Sequence, residues 1–182
     1  MSRRVSEHPP IEPDSDQEFD LETVFSRFQA ELLGSLVCLL GNVEDARDAL
    51  QEAFVKCWKH RESVPEIQNL KAWVFRIVLN TGRDVRGTAW RRRRQSLPED
   101  ESLVTSSLRE PTTMLETQEE AERVRRAVSE LREEEQLVFL MRQNGEMTYD
   151  EIAAELGIPT GTVKTRMRLA LTRLRETLAN DG

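Results

Sequence analysis

The residues best placed to do chemistry lie between Thr148 and Glu176, and the chemistry they offer is recognition of a polyanion. Lys164, Arg166, Arg168, Arg173 and Arg175 follow one another closely, and no acidic residue occurs from Thr160 to Arg175. At about 100° per residue, Val163, Met167, Ala170, Leu171 and Leu174 fall on one side of a helix. Thr165, Arg168, Leu169 and Thr172 point away from that side. Lys164 and Arg175 take one flank, Arg166 and Arg173 the other. A merely solvated face closing a bundle would mix both signs of charge. A buried stripe with a wholly basic remainder instead suits a groove lined by phosphates.

Such a helix needs a support that holds it at a fixed angle. Thr148 and Glu151 form a T-x-x-E capping box, which starts a preceding helix whose apolar face is Ile152, Ala153 and Leu156. Gly157 supplies a left-handed stop and Pro159 prevents simple continuation. Small Ala153, turn Gly157 and apolar Val163 have the spacing of a helix-turn-helix, in which two helices cross closely.

Other chemistries find no constellation. Cys38 and Cys57 lie in apolar helical patterns, no C-x-x-C occurs, and His8 and His60 lack ligand-like neighbours. Buried free thiols are expected, with no metal site and no cofactor. Acidic residues are scattered along helix faces rather than gathered for metal-assisted or nucleophilic work, so an enzyme is not expected. The formal net charge of -7 hides two basic islands, Lys71 to Arg94 and Lys164 to Arg175, on an acidic body. That distribution implies local contact with nucleic acid and weak indiscriminate binding. No apolar run approaches the roughly 20 residues of a membrane span. The N-terminus lacks a signal-peptide core, so a cytoplasmic protein without membrane insertion is expected.

The pattern along the chain predicts an all-α fold: two small helical domains joined by a flexible linker, the C-terminal one ending in the helix-turn-helix. Residues 1–17 read as a disordered acidic tail, 18–94 as the first domain, 95–112 as the linker and 113–182 as the second domain. Apolar residues recur from Phe19 to Leu40 as in one helix, ended by Gly41 and Asn42. Asn42 caps a second helix, Val43 to about His60, with Ala46, Leu50, Ala53, Phe54, Cys57 and Trp58 on its apolar side. Glu62 to Gln68 reads as a loop, and Asn69 caps a third helix running to the four arginines Arg91 to Arg94. Gly82 and Gly87 each weaken that helix by roughly 1 kcal/mol relative to Ala. Helices from about Thr113 to Leu131 and Glu133 to Asn144 precede the helix-turn-helix.

Three segments, DARDALQEAFVKCW, LKAWVFRIVLNTGRD and EEEQLVFLMRQNGEMTYDEIAAELGIPTGTVKTRMRLALTRLRE, together resemble the extracytoplasmic function (ECF) subfamily of the sigma-70 family of bacterial sigma factors. These are built from sigma domains two and four with a linker. The resemblance covers about Phe19 to Glu176. It implies a non-catalytic subunit that binds core RNA polymerase and directs promoter-specific transcription initiation. Asp48, Gln51, Glu52 and Phe54 match the D-x-x-Q-E-x-F helix that docks on the β′ clamp helices. Ser63 to Asn69 would form a pocket for a flipped base of the minus-10 element, with Arg76 and Asn80 near the point of strand separation. Arg83 and the run that includes Arg91 and Arg92 would hold phosphates. Trp90 is the better stacking candidate and Trp73 the better core residue. Thr162, Lys164, Thr165, Arg166 and Arg168 would face the minus-35 element, and domain four would also meet the β flap. Leu169 and Leu171 depart from the family's basic positions. Leu171 rejoins the apolar stripe, and Leu169 points outward, toward a thymine methyl or a protein surface. The implied partners are core polymerase and promoter DNA, with an anti-sigma factor as a further partner that the family allows.

Other functions fit less of the chain. A conventional helix-turn-helix regulator accounts for the C-terminal half and leaves the D-x-x-Q-E-x-F helix unexplained. A recombinase or nuclease lacks its carboxylate cluster. A pure interaction adaptor leaves the basic faces without a use.

Overall fold

The computed structural model describes residues 20–95 and 113–180, with side chains described over 20–88 and 119–180. The tail and most of the linker lie outside the described residues. Eight α-helices form among the described residues: α1 Leu21–Arg27, α2 Gln29–Leu40, α3 Val43–Lys59, α4 Leu70–Gln95, α5 Thr113–Ser129, α6 Glu133–Gln143, α7 Tyr149–Leu156 and α8 Thr160–Asn180. The all-α architecture and its two helical units are as the sequence predicts.

Two local expectations are corrected. The Phe19–Leu40 pattern is two helices, α1 and α2, bent by 69° about Phe28. The apolar period continues through the bend, so pattern alone does not reveal it. Phe28 leaves the helical path (φ −108°, ψ 18°) and turns its ring edge toward Phe75, with the Lys71 ammonium 4.3 Å from the ring centre. The Glu62–Gln68 loop is in part a 3-10 helix, Arg61–Glu66, which carries Pro65 and ends at extended Ile67.

Caps fix the helix ends. Asp20 accepts from the Thr23 amide at 2.7 Å, Asn42 from the Asp45 amide at 2.7 Å, and Asn69 from the Ala72 amide at 2.9 Å. Gly41, at φ +80°, turns α2 into α3. In the first unit α3 lays the small ridge Ala46, Ala49, Ala53 and Cys57 against Leu32, Leu36 and Leu39 of α2 and Phe75, Val78 and Leu79 of α4. A Cβ on Gly82 would stand 2.6 Å from Leu36 Cδ2 and 3.1 Å from Leu39 Cδ1. The glycine that weakens α4 locally is therefore what lets α2 cross it closely.

The second unit is centred on Val138, Leu140 and Met141 of α6, Ile152 of α7, and Val163, Met167, Ala170 and Leu174 of α8. Its buried carboxylate, Glu135, receives the Arg173 guanidinium at 2.6 Å. The sequence did not foresee how the units meet. α4 packs against α6 and α7, and α2 against α5, so the buried apolar residues form one continuous cluster. No single described helix is long and apolar enough to cross a membrane.

Candidate nucleic-acid interface

The helix-turn-helix is set by short-range bonds. Glu151 donates its amide to Thr148 Oγ1 at 3.2 Å, and the Thr148 amide donates back to Glu151 Oε2 at 2.7 Å, completing the capping box. Those bonds, the amide of Thr148 foremost, hold the Glu151 carboxyl below its ordinary pKa. Gly157 at φ +63° ends α7, and its amide reaches back to the carbonyls of Ala153 and Ala154. Thr160 then donates to Asp150 Oδ1 at 2.8 Å, tying the start of α8 to the start of α7. This bond joins residues ten apart in the chain, so no local pattern in the sequence marks it.

On α8 the buried stripe is Val163, Met167, Ala170 and Leu174. Lys164, Thr165, Arg168 and Leu169 are exposed, and Thr162 and Arg166 are half-buried beside them. Leu171 is corrected: at 37 % exposure it stands out much as Leu169 does at 38 %, rather than joining the stripe. The ion pair of α8 runs through Arg173 to Glu135, which makes that arginine an anchor to α6. Among the described residues, Lys164, Arg166 and Arg168 are left without an acidic partner. The hydroxyls of Thr165 and Thr172 bond back to the carbonyls of Gly161 and Arg168.

A second set lies on α4 and its N-cap. Asn69, Arg76, Asn80 and Arg83 follow helical spacing along one face. Asn80 is exposed and accepts from Arg83 at 3.2 Å. Ser63 is exposed on the 3-10 helix. Arg91 and Arg92 belong to α4, but their side chains, like that of Trp90, lie outside those described. Trp73 is half-buried and packs against the core, as expected.

A third set lies on α3, where Asp48, Gln51 and Glu52 are exposed. Glu52 pairs with Lys56 at 2.9 Å, and Lys56 also reaches Thr81 Oγ1 at 3.2 Å. Phe54 does not join the exposed stripe. It is half-buried, its ring meeting Phe25 edge-on at 5.0 Å and stacking on Trp58 at 6.0 Å. Trp58, expected on the apolar side, is instead 42 % exposed, and Val55 is 50 % exposed. Both continue the stripe that begins at Asp48, at its i+7 and i+10 positions.

The cysteines hold no functional geometry. Burial pushes the Cys57 thiol up to about 12 and raises that of half-buried Cys38. Among the described residues no group of three or more His, Cys, Asp and Glu is placed to hold a metal ion.

Comparison with known proteins finds matches over both helical units. The family model described as Sigma-70 region 2 matches residues 24–96, and that described as Sigma-70, region 4 matches residues 121–174. The chain is 30% identical over 164 residues to the ECF RNA polymerase sigma factor RpoE of Cereibacter sphaeroides, covering 90% of this chain and 88% of that one. It is 31% identical over 152 residues to the RNA polymerase sigma-E factor of Streptomyces coelicolor, covering 82% of this chain and 81% of that one. Its fold is similar to that of the sigma factor RpoE solved in complex with the anti-sigma factor NepR from Bartonella quintana. That likeness has a TM-score of 0.64 at 21% identity, covering 90% of this chain and 99% of that one.

Proposed function

The chain belongs to the ECF subfamily of sigma-70 factors, which direct promoter-specific transcription initiation, and from that premise we propose how its surfaces divide the work. The exposed stripe Asp48, Gln51 and Glu52 on α3 docks on the β′ clamp helices of core polymerase. Exposed carboxylate and amide groups are suited to pairing with arginines there. Asn80 and Arg76 on α4, with Ser63 and Asn69 before it, act at the minus-10 element. Arg83, Arg91 and Arg92 hold the backbone beside them. Lys164, Thr165, Arg166 and Arg168, with Thr162 and Leu169 at the edges, read the minus-35 element as an intact duplex, and the second unit rests on the β flap. An anti-sigma factor is a further proposed partner, by likeness to the Bartonella quintana complex.

The observation that carries the reading is the composition of α8. Its apolar stripe is consumed by the core, and its cationic residues Lys164, Arg166 and Arg168 have no acidic partner among the described residues. The cationic face of a helix built that way gains little from folding and much from a phosphate-lined groove. Run-off transcription with purified core polymerase on genomic DNA tests the function. Discrete transcripts are expected with the native chain. They should be lost when Asp48, Gln51 and Glu52 are all changed to Ala, with helix content unaltered. Duplex binding that persists without any polymerase-dependent transcript would instead mean a conventional regulator.

A further inference from the structure

A cleft of about 540 Å³ opens where the end of α2 meets α4 and α5. Its cationic lining is Arg83 and Arg86 of α4 with Arg125 and Arg126 of α5, against the carboxylates of Glu122 and Glu133. Cys38, Leu39 and Leu40 line the α2 side. We propose that this cleft is a binding site for a small phosphorylated molecule, a phosphate monoester of nucleotide size. The site is independent of the DNA roles above, except that Arg83 serves both.

Charge is the first observation that carries it. Four guanidiniums face two carboxylates here, in a chain whose formal net charge is -7. Both acids are already engaged: Glu122 accepts from Nε and Nη2 of Arg125 at 3.0 and 2.6 Å, and Glu133 pairs with Arg83. Arg86 reaches the Ser129 carbonyl at a long 3.4 Å, and the Arg126 guanidinium has no partner among the described residues. Like charges gathered from two helices repel unless an anion sits among them, and low-dielectric walls focus their field on that anion. The second observation is the kind of anion this suits. A phosphate monoester carries about −1.5 to −2 at pH 7, close to the two positive charges in excess. Its oxygens accept the paired N–H groups of guanidinium side by side. Size is the third. The cleft lies within the range of small-molecule sites, roughly 300–1,000 Å³, and exceeds what a lone anion fills. The organic part of the ligand rests on Cys38, Leu39 and Leu40. Burial raises the Cys38 thiol while the Arg125 charge draws it down, so a guanidinium lies close to this apolar wall.

Cys38 reports on the site directly. It is half-buried at the cleft, whereas Cys57 is buried and serves as an internal reference. The full chain is alkylated with N-ethylmaleimide and read by peptide mass spectrometry, with adenosine 5′-monophosphate as the probe at about 10 mM. A site with a Kd of about 1 mM slows Cys38 alkylation roughly tenfold at that concentration and raises Tm by roughly 3–6 °C. Adenosine should do neither, and inorganic phosphate should protect several-fold less. Arg126→Gln, at an exposed position, should keep its helix content and cut the protection to about twofold or less. If Cys38 labels too slowly in the free chain to be followed, the Tm rise and its loss in Arg126→Gln decide the matter. Absence of a Tm rise overturns the proposal, as does a native response in Arg126→Gln. A Tm rise that leaves a labelling Cys38 unprotected puts the binding elsewhere and overturns it too. Equal protection by inorganic phosphate would mean an adventitious ion only, and the organic ligand would be withdrawn. A 5′-hydroxyl oligonucleotide of about 10 nucleotides that protects as well as the monophosphate would assign the cleft to the DNA path instead.

Discussion

At the scale of single residues, chemistry here depends on which polar groups are already satisfied. Thr148 and Glu151 satisfy each other, so Thr148→Ala should cost about 1 kcal/mol of stability, read from urea midpoints. Thr148→Ser should recover most of it. Asn80 and Arg168 are both exposed, and on the proposed division of roles they address different states of DNA. Asn80→Ala should remove hydrogen bonds to an unstacked base, so transcription should recover on a template with a pre-melted minus-10 bubble. Arg168→Ala should cost roughly 1–3 kcal/mol at a promoter whose base it reads, and the bubble should not rescue it. Permanganate footprinting on duplex and bubble templates distinguishes the two, and equal rescue of both would refute the division of roles.

At the scale of elements, the helices are held by close crossings as much as by their own propensity. Gly82 shows the balance. Alanine there would gain about 1 kcal/mol of helix propensity, yet its methyl would enter the space of Leu36 and Leu39, both buried. Overpacking of this kind costs typically 1–3 kcal/mol. Gly82→Ala should therefore leave the protein about 1 kcal/mol less stable, visible as a fall of roughly 2–4 °C in Tm by calorimetry. A rise in Tm would mean that α2 can move aside at no cost.

At the scale of the whole molecule, the contact between units has a signature in pH. The Arg83 guanidinium, hydrogen-bonded to Glu133, holds that carboxyl below its ordinary value of 4.5. A lowered carboxylate pKa means stability that is fully present above about pH 4.5 and lost as pH falls through the lowered value. Scattering radii should therefore stay constant from about pH 8 to pH 6 and increase once the acid window below 4.5 is entered. The Glu151 carboxyl is lowered chiefly by its own cap at Thr148, so its protonation should loosen the start of α7 first. Glu133→Gln should flatten the acid expansion, and an unaltered profile would mean that other carboxylates govern it.

The sequence by itself determined the helices, the helix-turn-helix and the family, because these rest on local signals. The capping box at Thr148, the left-handed Gly157, the acid-free run on α8 and the D-x-x-Q-E-x-F pattern are all read within a few turns of one helix. It also marked Asp48, Gln51 and Glu52 as one exposed stripe, since helical spacing alone carries that. Only the tertiary structure decided what lies against what. The bend at Phe28 follows from packing on Phe75 and Lys71, not from any break in the apolar period. Trp58 and Leu171, which the apolar period puts inward with Phe54, are left outside by the limits of the core. The pairing of Asn69, Arg76 and Arg83 with Glu151, Glu155 and Glu133 spans between 50 and 82 residues of chain. Nothing local to either side of such a pair records the other. Charge at that separation is a property of the fold.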